Sequence, residues 1–293
     1  MGTLTAWTWG IVAVDLLIVI AALCVLRFGI GLIFGVDTKD ELSSRDNFAF
    51  GIALAGGVVA VAMVLAGAGA GESATSLLDE ELVVAQFAVV GLVLLKLGLL
   101  LNDALLFNQI SIKAAIASEN IAAGIVQAAN LVAIGILIRG AMNWVEMGGW
   151  MTWLSLVVVV LLSQVVLLGV TRLRAQIYTR RHRGARWQQA IAAGNAALAL
   201  RYAGHLIGTA LVASSAGAML EPVVTDVAVY LWWLIYAVLL AAVLVVVALI
   251  ARQVILVGVN VVVEVDEQKN IGVAAIEAAI YLGLGAVIQA LLG

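Results

Sequence analysis

The sequence predicts an all-α polytopic membrane protein whose eight transmembrane helices form four parallel two-helix repeats of about 74 residues. Three observations carry this prediction. Hydrophobic residues make up 65% of the 293 residues and charged residues only 11%, whereas soluble domains contain about 25% charged residues. Eight apolar runs are long enough to span a bilayer, which needs roughly 20 helical residues. Asparagines that open similar segments recur at a nearly constant interval.

The apolar runs define the predicted helices. They lie within residues 5–27, 48–70, 82–103, 121–139, 150–172, 190–213, 227–252 and 271–292. The alternating polar and apolar segments typical of a membrane barrel are absent from the sequence. Helices satisfy their backbone hydrogen bonds internally, so they are the expected membrane-spanning structure.

The distribution of basic residues predicts the orientation in the membrane. Of 15 Lys and Arg residues, only Lys96, Arg139 and Arg201 lie in or beside apolar runs away from the main loops. The others cluster between the first and second helix of each predicted pair, and the alternate connections "GESATSLLDEE" and "AMLEPVVTD" are acidic. The positive-inside rule therefore puts the basic loops in the cytoplasm and both termini outside. The N-terminus lacks signal-peptide features, so the first helix is expected to be retained.

The repeat is marked by asparagines at the start of each even-numbered helix. Asn47, Asn120, Asn195 and Asn270 are separated by 73, 75 and 75 residues, and each precedes an Ala- or Gly-rich segment. Asparagine is a favoured N-cap residue, because its side chain accepts a hydrogen bond from a first-turn N–H. We expect capping or interhelical hydrogen bonding. The alternative is a ring of four asparagines that lines a pathway.

Each even-numbered helix also carries one stripe of small residues, at 2, 9, 13 and 20 positions after its asparagine. At 13 positions, for example, the stripe holds Ala60, Ala133, Gly208 and Gly283. Small residues let membrane helices approach closely, so the even-numbered helices should be central with their stripes facing inward. Four parallel copies fit a pseudo-fourfold or a nested pseudo-twofold bundle. The expected four-helix units are residues 1–148 and 149–293.

Polar residues on one flank of the stripe form a predicted intramembrane cluster of Gln127, Asn130, Arg201, His205 and Glu277. An isolated charge in the membrane costs at least about 2.5–3.5 kcal/mol, so Arg201 and Glu277 are expected to pair. One interpretation is a structural cluster that fixes helix order. A second is a water-filled vestibule for an ion, a proton or a small solute. A third is that Arg201 extends to the cytoplasmic interface.

Two single charges and two further segments also carry structural information. Asp15 and Lys96 are charges within apolar runs, so both should face protein or water, and the sequence leaves open whether they meet. The basic segment 172–186 is expected to fix topology, with binding of anionic lipid or an acidic partner as the alternative. The β-branched segment 252–270 predicts a short cytoplasmic strand.

The first half of the sequence resembles the YjfL-like bacterial inner-membrane proteins, a family of unknown function. The resemblance rests on "DELSSRDNFA" at residues 40–49 and on "SENIA" at residues 118–122, each followed by a Gly/Ala-rich helix. It extends over the whole chain as two tandem domains. The third unit departs, with an arginine-rich loop before Asn195, and the fourth has Gly272 in place of alanine. The resemblance implies a bacterial inner-membrane protein linked with envelope-stress proteins, and it implies no catalytic residues.

The sequence contains no nucleophile–base set, paired-carboxylate site, P-loop or zinc motif. We therefore expect no enzyme activity, no cofactor, no metal and no nucleic-acid partner. The single Cys24 excludes an intramolecular disulfide. Two functional classes remain: a non-enzymatic envelope or membrane-stress scaffold, and an ion or small-solute channel or transporter along the even-numbered helices. The expected partners are membrane lipids and cytoplasmic stress-related proteins, and self-association stays open.

The orientation can be tested by cysteine accessibility in a Cys24→Ser background. Arg181→Cys should react with an impermeant thiol reagent only from the cytoplasmic side, and Glu72→Cys only from the outside, because basic loops stay in the cytoplasm. The Cys24→Ser protein without a new cysteine is the control. The opposite labelling pattern would contradict the orientation.

Overall fold

The computed structural model describes residues 6–34, 37–70, 77–145, 149–221 and 226–292, and in this part of the chain it contains ten α-helices. They are α1 (Ala6–Phe34), α2 (Phe48–Ala68), α3 (Leu77–Leu105), α4 (Ile112–Ala117), α5 (Ile121–Trp144), α6 (Gly149–Arg181), α7 (Trp187–Ala192), α8 (Ala196–Ser214), α9 (Val227–Ile255) and α10 (Ile271–Leu292). Eight of them are long and apolar enough to cross a membrane, which confirms the predicted number. The short helix α4 lies between the spans α3 and α5, and the short helix α7 lies between the spans α6 and α8.

The even-numbered spans of the sequence are α2, α5, α8 and α10, and each starts at a capping asparagine. The side chains of Asn47, Asn120, Asn195 and Asn270 each accept a hydrogen bond from the backbone N–H three residues later. Each cap satisfies an N–H group that has no partner inside the helix. The N-cap interpretation of the asparagines is therefore correct for all four repeats.

The eight spans form two layers. In the central row, α2 packs on α5, α5 on α8 and α8 on α10. In the outer row, α3 covers the boundary between α2 and α5, α6 covers that between α5 and α8, and α9 covers that between α8 and α10. The first span, α1, contacts α2 and α3. The repeats are thus arranged side by side in a row, and not around the pseudo-fourfold axis that the sequence left as one option.

The boundaries within the central row, which we call seams, are built from small residues. A Cβ atom on Gly56 would overlap the backbone of Ala128, and one on Gly204 would overlap the backbone of Ala278. A Cβ on Gly135 would lie 2.8 Å from the Cα of Ala60. The helices of these pairs are therefore in backbone contact, which only small residues permit.

Two faces of each central-row helix make these seams. The leading face consists of the small stripe found in the sequence, 2, 9, 13 and 20 positions after the asparagine. The trailing face consists of a second set, 4, 8 and 15 positions after it. The leading faces of α2 and α8 pack on the trailing faces of α5 and α10. The same pairing repeats along the row because the repeats are related by sequence.

The expectation that all four stripes face inward is wrong for the last helix. The stripe is buried along α2 and α8, and on α5 only Gly140 is half-buried, whereas on α10 all four of its residues are exposed: Gly272, Ala279, Gly283 and Ala290. The reason is that α10 ends the row. It buries its trailing face against α8, and no other described helix of the central row packs on its leading face.

The structure also shows the conformation of two segments that the sequence singled out. Segment 252–270 is not a strand, since α9 continues to Ile255 and a π-helical turn follows at Val263–Glu267. The turn satisfies its own backbone groups, as in the bond from Gln268 N to Val263 O (2.9 Å), so no strand partner is required. Segment 172–186 is helical up to Arg181.

The two charges that lie within apolar runs differ in their exposure. Lys96 is exposed on α3, whereas Asp15 is half-buried on α1. Residue 72 and the expected unit boundary at residue 148 lie outside the described residues.

Substitution of Gly56 tests the seam. Gly56→Ala should lower the free energy of unfolding by about 1–3 kcal/mol, because its methyl group would force α2 away from α5. Gly169→Ala on α6 is the control, since an added Cβ there meets nothing within 4 Å. Unfolding in detergent by denaturant titration measures both. Equal effects of the two substitutions would contradict backbone contact at this seam.

Candidate functional site

Arg201 on α8 lies at the centre of a charged network in the second half of the chain. Its Nε donates to Glu277 Oε2 (2.7 Å), its Nη1 donates to Asp266 Oδ1 (2.5 Å), and its Nη2 donates to the carbonyl oxygen of Val261 (2.9 Å). The contact expected between Arg201 and Glu277 is therefore present. The guanidinium is almost buried, and two carboxylates balance its charge.

The two carboxylates extend the network to other helices. Glu277 on α10 is buried, and its Oε1 lies 3.1 Å from Arg252 Nη1 and 3.7 Å from His205 Nε2. Asp266 lies in the π-helical turn, 3.5 Å from His182 Nε2. Burial raises the pKa of the Asp266 carboxyl above its ordinary value, against the opposing charges of Arg201 and His182. The network thus joins α8, α9, α10 and the end of α6.

Two arginines on α6 lack such a balance. Arg174 contacts Nδ1 of His205 and lies over the ring of Tyr281, with 5.0 Å between its Cζ and the ring centroid. Arg181 lies seven residues later, two helical turns along the same face. Within the described residues, neither arginine forms an ion pair with a carboxylate. Positive charge is therefore in excess on this side of the network.

These groups line one end of a crevice of about 810 Å³ between α6 and α9. Its walls are mostly apolar, with Val165 and Gly169 on α6 and Leu234, Val238 and Val245 on α9. Its polar end contains four arginines and two acids: Arg174, Arg181, Arg201, Arg252, Asp266 and Glu277. The crevice therefore combines a long apolar wall with a net positive end.

The five residues predicted as one intramembrane cluster are divided between seams. Arg201, His205 and Glu277 meet at the seam between α8 and α10. Asn130 instead accepts a hydrogen bond from the Tyr202 hydroxyl (2.9 Å) at the seam between α5 and α8. Gln127 is buried on α5, and no hydrogen bond joins it to the other four in the described part of the chain.

The two polar seams are nevertheless related by the repeat. Asn130 and His205 both lie 10 positions after their asparagines, and Tyr202 and Glu277 both lie 7 positions after theirs. The contact between Asn130 and Tyr202 in the α5–α8 seam is thus equivalent to the contact between His205 and Glu277 in the α8–α10 seam. Asn102 on α3 adds to the middle seam, with its Nδ2 3.4 Å from Asn130 Oδ1. The same pair of positions carries a neutral contact in one seam and a charged contact in the next.

Sequence reasoning missed Asp266, Arg174, Arg252 and His182 as members of the site. Each lies in a segment that the sequence predicts to be a loop or a helix end, where charge is ordinary. A usable signal was present for one pair, since Arg174 and Arg181 are seven residues apart and so share a helix face. The position of Asp266 had no such signal, because it depends on the fold of the π-helical turn.

The residues of the charged crevice all lie in the second half of the chain. Counted from the asparagines, the first-half residues equivalent to Arg174, Arg201 and Glu277 are Leu26, Ala53 and Gln127. The model of one family, Domain of Unknown Function (DUF350), matches residues 3–142 and again residues 147–292.

The chain belongs to the DUF350 family, in two tandem copies. This is the YjfL-like family that the sequence resembles. No curated protein and no solved structure matches the chain. In the described residues, the two DUF350 copies share the seam architecture, but the charged groups that line the crevice are present only in the second.

The ion-pair network predicts coupled effects of substitution. Arg201→Met should reduce the free energy of unfolding by about 3–5 kcal/mol, because two buried carboxylates lose their shared guanidinium and keep only the longer contacts to Arg252 and His182. Glu277→Met should cost less, since Arg201 keeps Asp266. The double variant should lose less than the sum of the two.

Denaturant titration in detergent measures the three variants, with exposed Glu267→Met as the control. Strictly additive losses would show that Arg201 and Glu277 do not interact.

Proposed function

We propose that this DUF350 protein is a non-enzymatic membrane scaffold that holds an anionic phospholipid in the crevice between α6 and α9. One observation carries the proposal: Arg174 and Arg181, which have no carboxylate partner among the described residues, line the polar end of an apolar crevice. An amphiphile with an anionic head and acyl chains complements both parts of this site.

The positions of the arginines match a lipid at a membrane surface. Arg181 ends α6 and Arg252 lies in the last turn of α9, so both belong to the end of the bundle assigned to the cytoplasmic interface. Arg174 lies about 10 Å deeper along α6, at 1.5 Å per residue. Guanidinium groups bind phosphate oxygens through paired hydrogen bonds. A headgroup phosphate between these arginines would leave the acyl chains along the apolar walls of the crevice.

The internal contacts favour lipid binding because they fix the arginine side chains in position before a lipid binds. Glu277 and Asp266 fix Arg201, and His205 and Tyr281 hold Arg174. With four arginines and two acids, the polar end keeps a net positive charge after the internal pairs are counted. A preorganised site loses less conformational entropy on binding than a flexible one.

A channel or transporter along the central row has less support. Its path would follow the seams, where Gly56 and Gly204 lie in backbone contact with the next helix. The polar groups of the seams are also directly bonded to each other, as in the contact between Tyr202 and Asn130. A lipid site in the crevice between α6 and α9 lies outside the central row and needs no path through the seams.

We also propose a membrane location and soluble partners for the protein. We assign the protein to the bacterial inner membrane with both termini outside, on the basis of the basic ends of its helices and its family resemblance. Cytoplasmic stress-related proteins are the proposed soluble partners of the scaffold, at the same end of the bundle as the crevice. No cofactor, metal or nucleic acid enters the proposed function.

Lipid retention tests the site. Wild-type protein purified in mild detergent should bind phosphatidylglycerol more tightly than phosphatidylcholine, as measured by native mass spectrometry. Arg174→Gln should weaken phosphatidylglycerol binding about tenfold or more, because a charge-assisted hydrogen bond contributes about 1.5–3 kcal/mol.

Arg172→Gln is the matched control, since it removes the same charge from an exposed position two residues away that does not line the crevice. Equal loss in both variants, or equal binding of the two lipids by the wild type, would contradict the proposal.

A further inference from the structure

The two ends of the central row expose complementary faces. On α10 the leading face is exposed along its whole length, and a Cβ on Gly283 would meet nothing within 4 Å. On α2 the trailing face is half-buried at one position and exposed at two: Gly51, Ala55 and Ala62. A leading face packs on a trailing face in the seam of α2 with α5 and in that of α8 with α10, and in the middle seam Gly140 of the leading face of α5 lies against Ser214 of α8. The row therefore ends with one unpaired face of each kind.

A hydrogen-bond ladder accompanies the seams and stops at the same place. The Nδ2 group of Asn47 donates to the carbonyl oxygen of Ile116 (3.0 Å), and that of Asn120 donates to the carbonyl oxygen of Ile191 (3.0 Å). The third step, from Asn195 to the carbonyl oxygen of Asp266, measures 3.4 Å. Each asparagine thus reaches the residue four positions before the next asparagine.

At the end of the row the ladder lacks its next acceptor. The amide of Asn270 donates to Glu264 of its own unit (2.8 Å), as that of Asn47 also does to Glu41 (2.7 Å). Asn47 makes the bond to the following unit in addition. Asn270 makes none in the described residues. The equivalent acceptor at the start of the row is the carbonyl of Ser43, which is an exposed residue.

We infer that a second copy of this chain binds head to tail, with the leading face of α10 packed on the trailing face of α2 of the next copy. The contact continues the three internal seams in register. It places Ala279 against Ala55 and Gly283 against Ala62, as Gly56 meets Ala128 within the chain. It also gives the Asn270 amide an acceptor at Ser43.

The chemistry of these faces favours a second copy over another partner. Both are apolar faces of small residues in the lipid-exposed part of the bundle, where close packing and not the hydrophobic effect drives association. The position equivalent to His205 on α10 is Ile280, and that equivalent to Glu277 on α2 is Leu54. The new seam is therefore apolar where the α8–α10 seam is charged, and it leaves no charge unpaired.

The geometry fixes the kind of assembly. All repeats cross the membrane in the same direction, so a head-to-tail contact keeps both copies in one orientation. The two surfaces differ, so the interface is heterologous and generates a ring or an open row of copies. The inference does not rest on the lipid site, because none of the crevice arginines lies on these two faces.

Disulfide cross-linking tests the pairing directly. In a Cys24→Ser background, Ala55→Cys and Ala279→Cys variants are co-expressed and oxidised in membranes. The mixture should give a cross-linked dimer, and either variant alone should not. A dimer from Ala279→Cys alone would show that two α10 helices meet, which overturns the head-to-tail contact. No dimer in any sample would also overturn it.

A bulky residue on the exposed face tests the same contact without cysteines. Gly283→Leu should raise the dissociation constant of the assembly about tenfold, measured by single-molecule photobleaching in liposomes. Its thermal unfolding should stay that of the wild type, because Gly283 packs on nothing inside the chain. Val243→Leu on the exposed face of α9 is the control. An unchanged dissociation constant for Gly283→Leu would overturn the inference, whatever the lipid measurements give.

Discussion

Backbone contact between neighbouring central-row helices is the constraint on which the structure depends. In a membrane, apolar surface alone does not hold helices together, so a seam must gain its stability from close packing and hydrogen bonds. Gly56 against Ala128 and Gly204 against Ala278 supply the close packing. The capping asparagines supply hydrogen bonds across the same seams, and the outer-row helices α3, α6 and α9 lie over them.

Functional chemistry is added to this frame at few positions. The seam positions that hold Asn130 and Tyr202 in the middle of the chain hold His205 and Glu277 in the second half, where Arg201 joins them. Changing side chains at equivalent positions therefore converts a neutral seam into a charged one without changing the row. The two family copies differ in this way, since the positions of Arg201 and Glu277 in the second copy hold Ala53 and Gln127 in the first.

The sequence predicted the elements that depend on local chemistry. The hydropathy of the eight spans, the capping by Asn120 and the cost of an isolated Arg201 all follow from residue types and spacing. It did not predict the row, because a stripe of small residues such as that of Gly283 looks the same whether or not a neighbour covers it. It also missed Asp266, since only the π-helical turn brings that carboxylate to Arg201.

The four central-row helices lie in a row with α2 and α10 at its ends. Electron paramagnetic resonance distances between spin labels at Phe48 and Ile271 test it, since these exposed residues open the two end helices. Diluting labelled protein with unlabelled protein keeps the signal within one chain. Three interaxial steps of about 8–10 Å predict a distance beyond about 20 Å. A distance near 10 Å would put α2 beside α10 and contradict the row.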